Sequence, residues 1–225
     1  LSQWAAQQNR NIISEAPFHW HLQQPNANKQ FEIEYLAEDL FEFIQRQDLQ
    51  QKWDLLVAHA FLDLVDMPTT LPLLRNLLSA QGSFYFSLNF DGATIFEPAI
   101  DPPFDRLVEN LYHRSMDERY IHGQPCGDSQ TGRRLFNHLG RSGFTITAAG
   151  ASDWVVFPRN GVYPHDEAYF LDFIIHTIHQ ALSHHPELDP HRFEAWITKR
   201  RQQIKNAELV YIAHQLDFVG KLTGS

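Results

Sequence analysis

Lys52-Trp53-Asp54-Leu55-Leu56-Val57-Ala58-His59-Ala60-Phe61-Leu62-Asp63-Leu64 is the stretch whose reading decides the fold. Trp53 to Ala60 is a short apolar run bounded by polar residues, the pattern of a strand covered on both faces. Downstream, Pro68 and Thr69 open a helix predicted through Leu78 and ending at Gly82, where a left-handed residue is natural. Ser83 to Phe90 (SFYFSLNF) is a second strand-like run. Strand, helix and strand at this spacing predict a parallel α/β architecture rather than a bundle or a sandwich.

Upstream, Phe18 to Leu22 and Phe31 to Tyr35 both alternate apolar and polar residues, and Gln24 to Asn28 supplies turn residues between them. A β-hairpin is predicted there. Helices are predicted over residues 1–14 and 39–50, from apolar spacing on one face. Residues 91–143 are rich in Pro, Gly and Asp around two helix-like patches, 104–112 and 131–139; an excursion of this length usually covers a site. Residues 144–157 read as a strand bending at Gly150, residues 165–184 and 190–206 as two helices, and 208–219 as a last strand.

Composition bounds the function. The 225 residues are 43% apolar and 20% charged, as in one folded globular domain. Eighteen Lys and Arg against 27 Asp and Glu give a formal charge of −9, which repels a nucleic-acid backbone and an anionic membrane surface. Neither is an expected partner. The single cysteine, Cys126, excludes an intrachain disulfide and fits a reducing, cytoplasmic setting. No run approaches the ~18 to 20 apolar residues of a membrane span, and no secretory leader pattern opens the chain.

Residues 52–64 resemble the fourth strand of the class I S-adenosylmethionine-dependent methyltransferases, in which an Asp opens the strand and the residues past its end lie against the cofactor. Residues 77–86 resemble that family's leucine-rich helix, Gly and fifth strand, and Tyr35 to Leu40 the end of its third strand. The resemblance implies an α/β fold built on a Rossmann-like class I methyltransferase sheet with helices on both faces, a substrate-side insertion, and a two-helix element before the last strand. It divides one domain into a cofactor-binding part (1–90), a substrate-side excursion (91–143) and C-terminal strands and helices (144–225). S-adenosyl-L-methionine is the implied cofactor. Glu38, Asp39, Leu40, Ala58, His59, Ala60 and Phe61 are its implied contacts, with Asp39 accepting from the adenine amino group. The chain departs from the family in having no G-x-G-x-G. The expectation is an N-terminally truncated sheet, since the family's first two strands lie between strands three and four.

Each candidate has a simpler reading beside the functional one. Asp39 is also a preferred N-cap for the helix starting at Leu40, and His59 could be an ordinary loop histidine. Asn89 and Asp91, in Asn89-Phe90-Asp91-Gly92 after the second strand, could meet a substrate or form a turn. Tyr112 and His113 could belong to a lid, with His113 as a proton acceptor. Phe96, Tyr112, Trp154 and Tyr163 would suit a planar acceptor or a core. Asp172, His176 and His179 share a helical stripe with metal-like spacing, but a solvated helix face explains them more simply. No catalytic residue is assigned and no metal is expected. Methyl transfer to a small-molecule acceptor is the leading expectation, and a degenerate methyltransferase-fold binding or scaffold protein the alternative.

Overall fold

The computed structural model describes residues 11–16, 19–23, 30–121 and 123–224, and the chain forms two compact units, Leu1–Arg46 and Gln47–Ser225. In the first unit, β1 (Asn11–Ala16), β2 (His19–Gln23) and β3 (Gln30–Glu34) form an antiparallel sheet in that order. The β2–β3 pair is the predicted hairpin, with His19 opposite Glu34; its turn lies outside the described residues. The helix expected over 1–14 is overturned where it is described. Residues 11–14 belong to β1, with Ile12 opposite Leu22 and Ile13 opposite His21. Adjacent β-branched residues suit a pleated strand once a partner strand is at hand. The helix expected over 39–50 is a single turn, α1 (Leu40–Phe43), and a separate 3-10 turn, Gln47–Leu49.

In the second unit, β4 (Trp53–His59) and β5 (Leu78–Glu97) are parallel neighbours joined through α2 (Met67–Leu77). Asp66 starts α2 by accepting from the Thr69 amide at 3.0 Å, and Pro68 stands in its first turn, where no intrahelical N–H is needed. The helix stops earlier than predicted. Leu78 is already extended, at ψ 139°, so Gly82 lies within β5 and is not a helix terminus. β10 (Val210–Leu222) returns antiparallel between β5 and β8 (Phe144–Ala151), and β9 (Trp154–Val156) pairs with its first half. The sheet, in the order β4-β5-β10-β8, is therefore mixed and open, with helices on both faces.

β5 does not end at Phe90. Paired to β10 from Ser83 onward, it continues to Glu97 by absorbing extra residues in two bulges. Ser87 and Leu88 together oppose Asp217, with Leu88 at φ 58°, and residues 91–93 oppose His214, with Gly92 at φ 72°. Asn89-Phe90-Asp91-Gly92, expected as a turn, is thus strand interior. Most of residues 98–143 is helical: α3 (Pro102–Asp117) and α4 (Thr131–Arg141) flank a small ladder of β6 (Tyr120–Ile121) and β7 (Gln124–Pro125). The two predicted late helices are α5 (Glu167–Leu182) and α6 (Pro190–Lys205). Among the described residues no helix is long and apolar enough to cross a membrane.

One sheet face carries Phe84, Phe86, Phe144 and Phe218 beneath α2 and α4, with Phe136 of α4 4.8 Å from Phe218. On the other face α3, α5 and α6 pack over Phe90, Phe96, Val156, Tyr211 and Ala213. β4 is not covered on both faces as expected. It is the edge of its sheet, and Trp53, Leu55 and Val57 are 43%, 54% and 44% exposed.

A buried ion pair fastens α3 and α6 to one another and to the chain just past β5. Asp105 Oδ1 accepts from Arg200 Nη2 at 2.9 Å and from Trp196 Nε1 at 2.6 Å, while its Oδ2 accepts from the Ile100 and Asp101 amides. Arg200, wholly inaccessible to solvent, also donates to the Pro98 carbonyl and to Gln203 Oε1, and lies over the Phe96 and Trp196 rings. Asp105→Ala should destabilise the protein by about 3 to 5 kcal/mol, because the guanidinium is left buried without its counter-charge. Urea denaturation checks this; a loss no larger than that of an exposed ion pair, about 1 kcal/mol or less, would refute the role.

Glu109, one turn beyond Asp105, is pushed up to about 7 by burial and by the Asp105 charge. Its folded-state affinity for the proton exceeds that of the unfolded chain, so the associated stability is full below about pH 4.5 and lost as pH rises towards about 7. Glu109→Gln removes that loss. The melting temperature of the variant relative to the parent should climb between these pH values and level off above them; a difference independent of pH would count against the assignment.

Candidate functional site

The carboxyl end of β4 lies beside Ser87, midway along β5, and the carboxyl ends of parallel strands are where open α/β sheets place ligands. Ala58 and Ala60 present little more than backbone here, and the Ala60 amide donates to the Ser87 carbonyl at 3.0 Å. His59, exposed, meets the buried Ser87 hydroxyl through Nδ1 and sets its ring edge-on to Tyr85 at 5.5 Å. Next to it, Asp217 of β10 gathers three donors: the Leu88 amide at the bulge (2.9 Å), Ser152 Oγ (2.6 Å) and Tyr85 Oη (3.3 Å). The bulge therefore frees an amide from the ladder and the Asp217 carboxylate takes it up. Phe61 follows as the half-buried entry to a short 3-10 turn, Leu62–Leu64, in which burial raises the pKa of Asp63 and leaves its Oδ1 without a partner.

Beyond this edge the two sheet faces separate the predicted substrate residues. Asn89 and Asp91 face α4; His113 and Tyr112 come from α3 on the opposite face. Asn89 is fully buried and its Nδ2 donates to the Leu216 carbonyl at 2.8 Å. Asp91, also buried, accepts through Oδ1 from the Arg133 amide (2.7 Å) and from Arg133 Nε (2.9 Å), so it serves the first turn of α4 as a cap supplied by another strand. Its Oδ2 faces His214 Nε2 at 3.8 Å, and His214 Nδ1 meets Asp153 Oδ1 at 2.7 Å.

On the α3 face, His113 Nε2 meets Thr94 Oγ1 at 3.0 Å and its ring packs on Phe90 at 5.3 Å. Burial lowers its pKa, against a smaller opposing pull from Asp117, so the neutral imidazole is favoured. Tyr112 is buried in the core cluster together with Phe96, where desolvation raises its pKa. Tyr163 packs against that cluster and donates to the Leu209 carbonyl at 2.7 Å, and Trp154 stacks on Phe170 at 4.4 Å. Asp217, Asp153, His214 and Gln215 were not singled out by sequence reasoning. Only Gln215 leaves a legible signal: a polar residue in step with the buried Tyr211 and Ala213 of β10.

In the first unit, Asp39 Oδ1 accepts from the Phe41 and Glu42 amides at 2.7 and 3.1 Å, the N-cap geometry; Glu38 pairs with Arg46 at 3.5 Å and Leu40 is half-buried. In the α5 stripe, Asp172 pairs with Arg201 at 3.4 Å and His179 with Glu194 at 2.6 Å. Among the described residues no three His, Cys, Asp or Glu side chains converge as metal ligands.

No family model matches the chain, and no curated protein does. Among solved structures, a methyltransferase-like protein of Bacillus halodurans is 10% identical at a TM-score of 0.45, covering 85% of this chain and 72% of its own. A type II methyltransferase-like protein of Anaeromyxobacter dehalogenans is 15% identical at 0.45, covering 79% and 68%. Haemonchus contortus phosphoethanolamine N-methyltransferase 2, solved with S-adenosylhomocysteine, is 9% identical at 0.30, covering 79% and 35%. At such TM-scores the fold assignment stands on strand order and direction.

The approach of α4 to β5 depends on Gly132. A Cβ there would stand 2.9 Å from Asp91 Cβ and 3.1 Å from the Asn89 carbonyl. Gly132→Ala gains up to about 1 kcal/mol of helix propensity, but displacing packed backbone costs about 1 to 3 kcal/mol. A net fall in melting temperature is expected, and a rise would show that the contact yields easily.

Proposed function

We propose that the protein is an S-adenosylmethionine-dependent methyltransferase acting on a small-molecule acceptor. The observation that carries this reading is the open carboxyl edge of the parallel β4–β5 pair, with Ala58 and Ala60 beside His59, Ser87 and Asp217, and the α3 helix bearing His113 over the neighbouring part of the sheet. The residues at that edge fit the cofactor in one testable respect: the alanines are too small to obstruct a nucleoside. Ala58, His59, Ala60 and Phe61 would hold it. When bound, the cofactor supplies an electrophilic methyl group on a sulfonium.

The work left to the chain is positioning and exclusion of water, which in favourable intramolecular cases contributes about 7 to 11 kcal/mol. The helices on the α3 face form an apolar wall beside the sheet, and Asp217, already holding three donors, keeps the bulge between β5 and β10 in one conformation. His113 favours its neutral form, and the ring nitrogen away from Thr94, Nδ1, is the one able to take a proton from an acceptor that must lose it. An acceptor already deprotonated would need no base.

A second reading, a degenerate binding or scaffold protein, is favoured by the lack of any G-x-G-x-G in the sequence. Titration calorimetry with S-adenosylmethionine and S-adenosylhomocysteine separates the two. Binding of both, with affinity lowered by His59→Trp or Ala60→Trp at the edge, is the expected result. Binding by neither ligand would overturn the cofactor assignment.

A further inference from the structure

Gln215 is only 7% exposed, and its Oε1 is buried without a hydrogen-bond partner. An amide oxygen left in this state costs the protein about 1 to 3 kcal/mol. Across the ladder Gln215 stands directly opposite Phe90, so the two side chains share a sheet face, their Cβ atoms about 4.5 to 5.5 Å apart. His113 packs on that same Phe90 ring and bonds to Thr94, which in turn faces Ala213 across the same two strands. The Gln215 side chain and the His113 imidazole are therefore both neighbours of Phe90 on the sheet face beneath α3. With the imidazole neutral, as burial favours, the pair has lone pairs to offer on both sides. A formal charge of −9 on the chain adds a long-range preference against anions. The complement is a small, partly apolar molecule that carries an N–H or O–H.

We propose that Gln215 is the specificity-determining residue of the acceptor site: its Oε1 receives an N–H or O–H of the methyl acceptor and turns the acceptor's reactive atom towards His113, with its apolar part on Phe90. This deepens the methyltransferase reading and rests on it. Asn89 Oδ1 is equally orphaned, but it lies on the α4 face, where the close approach of Gly132 leaves no room for a ligand.

The test compares the protein with Gln215→Met, which keeps the volume and removes the acceptor atom. Removing an unpaired buried oxygen should raise the melting temperature by about 2 to 4 °C; a fall would mean that Gln215 is a satisfied structural residue and would overturn the proposal. Benzylamine, benzyl alcohol and toluene, titrated by ligand-observed NMR, supply the same ring with N–H, with O–H and with no donor. The parent protein should bind benzylamine or benzyl alcohol about fivefold or more tightly than toluene, the worth of one net hydrogen bond. Which of the two is preferred identifies the donor. Gln215→Met should bind all three alike. No preference in the parent, or a preference that survives the substitution, overturns the proposal. S-adenosylhomocysteine affinity should be the same in both proteins; its failure to bind the parent would remove the cofactor reading while the donor preference still decides the role of Gln215.

Discussion

The guanidinium of Arg200 is the point on which the second unit's architecture depends. Removed from water, it is held by Asp105, the Pro98 carbonyl and Gln203, and lies over the Phe96 and Trp196 rings. Three segments meet there: α3 through Asp105, α6 through Arg200 itself, and the chain just past β5 through Pro98. Such a pair contributes little net stability over an apolar substitute, because desolvating two charges offsets most of their attraction. Its value is geometric. Once buried, the charges depend on these partners, and their pairing holds α3 over the sheet with His113 against Phe90 and Thr94.

Irregularity in the β5–β10 ladder does the complementary work from below. A regular ladder would pair every second amide of β5 with β10, turn the others towards the opposite side, and alternate side chains without interruption. The two bulges release the Leu88 amide to Asp217 and insert residues 91–93 opposite His214. Polar groups thus collect just past the carboxyl edge of β4, the side on which open α/β sheets place ligands. Asp91 shows how closely such groups are tied to the fold: its carboxylate caps α4, and through the small Gly132 that helix comes close enough for the cap to form.

The parallel β4–α2–β5 core was legible in the sequence because each part has a local cause: an apolar run, a capped helix start at Asp66, a second run of aromatic and polar residues. The two late helices were legible for the same reason. Other elements were not. Residues 11–14 have helical spacing, yet pairing with β2 makes them a strand. Asn89-Phe90-Asp91-Gly92 has turn chemistry, yet β10 supplies a partner that carries the strand onward to Glu97. Asn89 and Asp91, expected just past a strand end, and Tyr112 and His113, expected in a lid, stand on two opposite faces.

What the sequence determined by itself is therefore a chemical inventory with local direction: an acidic chain with one cysteine, a strand that ends in small residues, helices that begin at aspartates. These follow from short-range sterics, capping and hydrophobic periodicity. Tertiary structure decided which of the polar residues face one another. Asp217 reaches Leu88, Asp105 reaches Arg200, and Gln215 comes to lie beside Phe90 with an unpaired oxygen, all through contacts between residues more than ninety positions apart. Hydrogen bonds between such distant groups depend on strand register and bulges, which no local pattern encodes.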